Sequence, residues 1–212
     1  MKVLELFSGT GSVGKICKEK GWEVVSLDLK GADINTNILD WDYTQYQEGH
    51  FDIIWASPPC HTFSIMRKSW IGRKIKAHNG AICTRELLQN DIEQIGLPIL
   101  RQTEKIIDYL KPKYYFMENP QTGEMKKYVN RPFYDVDYCM YSDWGYKKPT
   151  RIWTNLKGFV PKTCNRKCIT FKDGKHGVKW GDLKGGNVLN LRYRIPPNLI
   201  SDLFSHINIS KS

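Results

Sequence analysis

The sequence predicts an α/β fold with a mostly parallel sheet and helices on both faces, and three observations carry that expectation. Short, nearly continuous apolar runs alternate with longer mixed segments, the pattern of buried parallel strands joined by crossover helices. The first run leads into a glycine-rich turn, a plausible helix and a second strand. No internal repeat or low-complexity tract breaks the pattern, and 212 residues suit one compact domain spanning 1–212.

Taken in order, residues 2–7 form the first strand and FSGTGSVG at 7–14 the turn. A helix is expected over 13–20, and strands over 23–28 and 51–56. Residues 97–110 read as a longer helix, with Ile99, Leu100, Ile106, Ile107 and Leu110 on one stripe and Lys-Pro at 111 and 112 as its stop. A fourth strand covers 114–117. The segment 155–190, rich in Lys, Gly and Asn, reads as loops and hairpins that could form a small recognition element.

Composition narrows the function classes. A hydrophobic share of 41% and a charged share of 25% are those of a soluble protein, and no apolar run is long enough to cross a bilayer. The opening MKVLELF lacks the features of a secretory signal, so an intracellular setting, cytoplasmic or nucleoid-associated, is expected. Six cysteines without a secreted framework then stay reduced. Lys and Arg number 32 against 22 Asp and Glu, a net charge of +10 that favours a polyanionic partner. The excess concentrates in a basic loop region at 61–96. Between His61 and Arg85 lie Arg67, Lys68, Arg73, Lys74 and Lys76, no acidic residue, and Trp70 among the cations. Phosphate contact plus base stacking needs that interleaving, although a solvated basic loop would look similar.

The glycine loop places Gly9, Gly11 and Gly14 where bare backbone can approach a ligand at a helix N-terminus. Asp28 ends the next strand and suits a ribose diol. These features fit a nicotinamide or flavin dinucleotide site, an S-adenosylmethionine site, or a tight turn with no ligand. Two strand ends carry the chemistry: SPPC, where two prolines stop a buried strand and present Cys60, and MENP, where Glu118 should reach the same edge. A buried structural thiol and a capping carboxylate are the bland alternatives.

At these residues the chain resembles the C5 cytosine-specific DNA methyltransferase family, as a small, phage- or virus-like member without a large recognition domain. FSG, PPC and ENP stand in the family's order and spacing. DWGYKKPTRIWTN at 143–155 and RIPPNLISDLFSHI at 194–207 resemble its later strand pair and final helix. The resemblance implies a Rossmann-like class I S-adenosylmethionine-dependent methyltransferase fold and methyl transfer to cytosine C5 in DNA through a Cys60 adduct. It implies Cys60, Glu118 and Arg151 as catalytic residues. Phe7, Ser8, Gly9 and Gly11 would contact the cofactor, Asp28 and Leu29 its ribose and adenine, Asp40 and Trp41 the adenine, and Pro59 would complete the pocket. A Cys60 thiol lowered by basic neighbours would raise the reactive fraction.

The chain departs from the pattern where one arginine, Arg151, stands for two, and where Tyr193 and Arg194 precede the final Ile-Pro-Pro. About forty residues separate Arg151 from that motif, which implies short or relaxed target specificity. Amino-group methylation of adenine N6 or cytosine N4, C5 methylation of RNA, and a catalytically inactive nucleic-acid-binding homologue are the alternatives. Cys164, Cys168 and His176 offer three zinc donors with no evident fourth, so free thiols and no metal are expected.

Overall fold

The computed structural model describes residues 1–178 and 188–208. Strand β1 (Lys2–Leu6) passes through the glycine turn into helix α1 (Ser12–Glu19), followed by β2 (Glu23–Asp28), the short β3 (Ile34–Asn35) and β4 (Ile53–Ala56). After the basic loop come α2 (Arg85–Asp91), one wide π-helical turn (Ile92–Gly96) and α3 (Leu97–Leu110). The chain continues through β5 (Tyr114–Pro120), β6 (Phe133–Asp137) and β7 (Pro149–Thr154). A small hairpin of β8 (Phe171–Lys172) and β9 (Lys175–His176) precedes α4 (Val188–Tyr193) and α5 (Pro197–Ser205).

Seven strands form one sheet in the order β3-β2-β1-β4-β5-β7-β6, with β7 antiparallel to both its neighbours and the others parallel. Side chains alternate between two cores, as the period-two pleat requires. Val3, Ile53, Trp55, Phe116 and Ile152 face α1 and α5. Leu4, Leu6, Ile54, Ala56, Met117 and Trp153 face α3. Trp55 stacks on Phe116 with ring centroids 5.3 Å apart, and Phe204 of α5 meets both edge-on.

The strand order reverses between β1 and β4, which opens a crevice beyond their carboxyl ends. The glycine turn and SPPC both lie there. Strand β5 runs three residues further than its apolar pattern suggests, through Glu118 to Pro120, because β7 supplies a ladder as far as Thr150. Helix α3 ends at Lys111 in a left-handed conformation (φ 42°). At its other end the π turn presses on the start of the basic loop: a Cβ at Gly96 would lie 2.5 Å from Thr62 Oγ1 and 2.8 Å from Phe63 Cζ.

Candidate active site

The glycine turn is held in shape by its own strand ends. Phe7, Gly9 and Gly11 all have positive φ (59°, 48° and 65°), which bends the chain back so that Ser8 N–H reaches Leu27 C=O at 3.2 Å. Gly9 N–H donates to Asp28 Oδ2 at 2.8 Å, and Leu29 N–H to Asp28 Oδ1 at 2.7 Å. Glu5, 3% exposed, accepts from Val13 N–H and Gly14 N–H at the start of α1. Those two helix-terminal donors therefore serve the protein's own carboxylate. Burial raises Glu5 to about 7 despite these hydrogen bonds.

The residues around this turn fit a nucleoside cofactor. A Cβ on Gly11 would project into open space, and Leu29 is 71% exposed beside Asp28, an apolar surface that an adenine ring could cover. Asp40 is exposed. Trp41, in contrast, is 6% exposed and packs against Tyr43 and Tyr46, so its ring belongs to the α3-side core and does not reach into the crevice as expected. Of the final motif, Arg194 lies over Trp144 at 3.6 Å, and Ile195 N–H donates to Ser12 Oγ.

The SPPC turn is fixed from both sides. Ser57 N–H donates to Leu6 C=O, Trp55 Nε1–H to Ser57 Oγ at 3.1 Å, and Asn119 Nδ2–H to Pro58 C=O at 2.8 Å. The last bond joins the two motifs directly. Cys60 opens onto a cavity of about 460 Å³ whose walls include Asn119, Lys148, Met66 and, from the small hairpin, Lys175 and His176. Pro59 is half-buried in the turn.

Glu118 is 7% exposed and accepts a hydrogen bond from Tyr138 Oη–H at 3.1 Å. Lys148 Nζ lies 3.8 Å from Glu118 Oε1, donates to Arg192 C=O at 3.2 Å, and sits 4.5 Å above the Tyr138 ring. Burial and the Glu118 carboxylate hold Tyr138 well above the usual phenol range, so it remains a donor. Cys60 departs from the expectation of a lowered thiol. Burial first and Glu118 second push it up, and Lys148 offsets part of that rise.

Arg151 is not brought to this pair. It sits opposite Asn119 in the β5–β7 ladder, on the other face of the sheet from Glu118, whose partner there is Ile152. Its guanidinium forms a two-pronged ion pair with Asp135 (2.7 and 2.8 Å) and stacks 3.5 Å over Phe133. Lys148, three residues earlier, is the cation beside Glu118. Charge type alone could not have separated the two, because the pleat and the antiparallel direction decide which one points inward.

The basic loop is a folded hairpin. Residues 72–83 pair through Gly72 N–H to Cys83 C=O and Cys83 N–H to Arg73 C=O. Arg67 is corrected from phosphate contact to tether: it is 8% exposed, ion-paired with Asp91 and 5.7 Å over Trp70. His78 shares Asp91 at 2.9 Å. Burial alone would raise Asp91, but the hydrogen bonds from Arg67 and His78 outweigh it and hold the carboxyl below its usual range. Lys68 pairs with Glu124. Arg73, Lys74 and Lys76 are exposed and engage no ion pair among the described residues. Exposed Met66, Trp70, Ile71 and Ile82 lie among them.

The small hairpin carries His176 toward Cys164 and Cys168, as the sequence suggested, and beside them lies Cys139, a fourth donor that the sequence reading missed. No cysteine is in a disulfide.

Residues 1–152 match the family model described as C-5 cytosine-specific DNA methylase. A probable DNA (cytosine-5)-methyltransferase of Frog virus 3 (isolate Goorha) is 45% identical over 217 residues, covering 96% of this chain and 98% of that protein. Among solved structures, the Entamoeba histolytica methyltransferase EhMeth is 13% identical with a TM-score of 0.49, over 77% of this chain and 56% of that one. A mutant of Spodoptera frugiperda DNMT2 is 20% identical with a TM-score of 0.45, over 76% and 52%. This chain thus spans about half the length of those two structures. With the family model covering most of the chain and a full-length relative so similar, the chain belongs to the family of C-5 cytosine-specific DNA methylases.

Proposed function

We propose that this chain methylates C5 of cytosine in DNA through a covalent Cys60 adduct. The observation that carries the reading is the hydrogen bond from Asn119 to Pro58 C=O. It ties the strand bearing Glu118 to the turn bearing Cys60, whose thiol opens onto the cavity within the electrostatic reach of the Glu118 carboxylate. Cytosine C5 is too weak a nucleophile to be methylated directly. A Cys60 thiolate adding at C6 forms an S–C6 bond and makes C5 the carbon of an enamine. Glu118, held by Tyr138, provides the hydrogen bond or proton at the Watson–Crick edge as negative charge builds on the ring. Lys148 is the cation beside this pair, favouring the Cys60 thiolate and steadying Glu118.

S-adenosylmethionine, when bound, supplies the electrophilic methyl group. Phe7, Ser8, Gly9, Gly11, Asp28, Leu29, Asp40 and Pro59 would hold it, with Trp41 supporting the pocket from the core. After C5 is methylated, loss of its proton and cleavage of the S–C6 bond restore the aromatic ring and Cys60. The base must leave the duplex to enter the cavity. Arg73, Lys74 and Lys76 on the hairpin beside Cys60 are the proposed phosphate contacts, and the 155–190 segment a reduced recognition element.

The test is incubation with labelled S-adenosylmethionine and DNA containing 5-fluorocytosine. A denaturation-resistant protein–DNA complex is expected, and Cys60→Ser should abolish both the complex and methylation, a loss on the order of 10⁴-fold or more. Finding N6-methyladenine or N4-methylcytosine as the product, with no trapped complex, would overturn the proposal.

A further inference from the structure

Three cysteines and a histidine converge just beyond the end of β6. The ligand-capable atoms of Cys139, Cys164, Cys168 and His176 all lie within 4.8 Å of one another. His176 Nε2 is 3.6 Å from Cys164 Sγ and 3.4 Å from Cys168 Sγ. Zn–S bonds of ~2.3 Å and Zn–N bonds of ~2.0 Å in a tetrahedron set ligand atoms roughly 3.4–3.8 Å apart, so these two separations already match the edges of such a site. Among the described residues no other group of His, Cys, Asp or Glu converges in this way.

The surroundings suit a structural ion. Cys139 and Cys168 are 2% and 8% exposed, which shields the centre from solvent. Cys164 is held by its own N–H donating to Asp137 Oδ2 at 2.6 Å, and Asp137 N–H donates to Lys162 C=O. The Thr170 hydroxyl lies 3.3 Å from Cys168 Sγ, placed to donate to a thiolate. The segment has little else to hold it. Its two strands are two residues each, Ile169 is 73% exposed, and a hairpin of that size is marginal alone. Four soft or borderline ligands leave no open coordination position, the mark of a structural rather than a catalytic zinc.

We infer that Cys139, Cys164, Cys168 and His176 bind one Zn²⁺ that fastens residues 164–176 to the end of β6. Binding releases the three thiol protons to solvent and forms three Zn–S bonds and one Zn–N bond, with no change of oxidation state. Cys139 lies in the turn that follows edge strand β6, whereas the other three ligands come from the segment after β7. The ion is therefore a cross-link between them. Because Lys175 and His176 also line the Cys60 cavity, the zinc sets the position of that wall. This last consequence rests on the proposed function, while the metal site does not.

The full chain, purified under reducing conditions from zinc-supplemented culture, should hold about one zinc per chain by elemental mass spectrometry. Replacing it with Co²⁺ should give tetrahedral d–d bands and thiolate-to-cobalt charge transfer. Cys164→Ser and Cys139→Ser should lose the metal and melt at lower temperature, whereas Cys17→Ser and Cys83→Ser should keep it. Should the ligand variants fail to fold, the Co²⁺ spectrum of the wild-type chain decides. Absence of bound metal after Zn²⁺ is offered to the reduced protein would overturn the inference. So would a cobalt spectrum without thiolate ligation, or a Cys164→Ser, Cys168→Ser double variant that keeps a full equivalent. A chain that holds zinc with these signatures but methylates no DNA would refute the proposed activity and leave the metal site standing.

Discussion

The turn at residues 57–60 is tied to two strands, by Ser57 N–H to Leu6 and by Asn119 to Pro58, and its polar groups face inward. The basic loop that follows hangs from the buried cluster of Arg67, Asp91 and His78, and leaves Arg73, Lys74 and Lys76 to solvent. The two regions adjoin in sequence yet, under the proposed function, would meet different demands. Bond-making needs a nucleophile fixed to within a fraction of an ångström, and strands supply that. Gripping a polyanion needs unpaired charge on a surface that can adjust, and a tethered hairpin supplies that.

The sharpest way to break this division is Glu118→Gln. It keeps the shape and the hydrogen bond from Tyr138 but removes the carboxyl proton chemistry. We expect the single-turnover methylation rate to fall by about 10³-fold with DNA affinity little changed. Should the rate survive, the fixed region is not the seat of catalysis.

Next in size is the contrast between two cations. Lys148→Met should slow methylation about 10²-fold and raise the pH at which the rate reaches its plateau, because the cation that offsets the rise of Cys60 is gone. Arg151→Met should instead cost stability, about 1–3 kcal/mol, by leaving Asp135 without its paired guanidinium, and should be read by denaturant unfolding.

Glu5 sharpens the same side of the comparison through pH. Its carboxyl binds a proton more readily in the folded chain, where burial holds it at about 7, than in the unfolded chain near 4.5. Its contribution to stability is therefore complete below about pH 4.5 and lost as pH rises through about 7, a change on the order of 3 kcal/mol. Glu5→Gln should flatten that part of a stability–pH curve.

The smallest effect belongs to the loop. Replacing Arg73, Lys74 and Lys76 together with Gln should weaken duplex binding about tenfold at moderate salt. It should also reduce the slope of log affinity against log salt by about three, near 0.9 per lost phosphate contact. Cofactor affinity should not change. A salt slope unaltered by this triple change would place the grip elsewhere.

Much of this was legible in the chain. The runs at 23–28 and 97–110 form the expected strand and helix to the residue, because a short strand-forming run and a 3.6-residue stripe are local signals. The placing of Cys60 just past a strand was legible because two prolines end β4, and that of Glu118 because it follows a buried apolar run that leads to the same edge. What escaped was set by partners distant in sequence. The inward cation depended on the direction of β7, which no local pattern encodes. Arg67 reads like its basic neighbours until Asp91, 24 residues on, claims it. Cys139 stands 25 residues before Cys164, a spacing that resembles no metal motif, and only the bonds from Asp137 to Lys162 and Cys164 bring the two segments together.

The reversal of β7 has one more effect, on the economy of the chain. Because β7 alone runs against its neighbours, its beginning lies where the other strands end, so Lys147 and Lys148 arrive at the reactive edge before the strand starts. The same reversal leaves the chain at the far edge by Thr154. It must climb the whole height of the sheet again before Lys162 meets Asp137. Residues 155–161 make that return. Added length would be absorbed more readily after the climb than within it, which is where this chain keeps its hairpin.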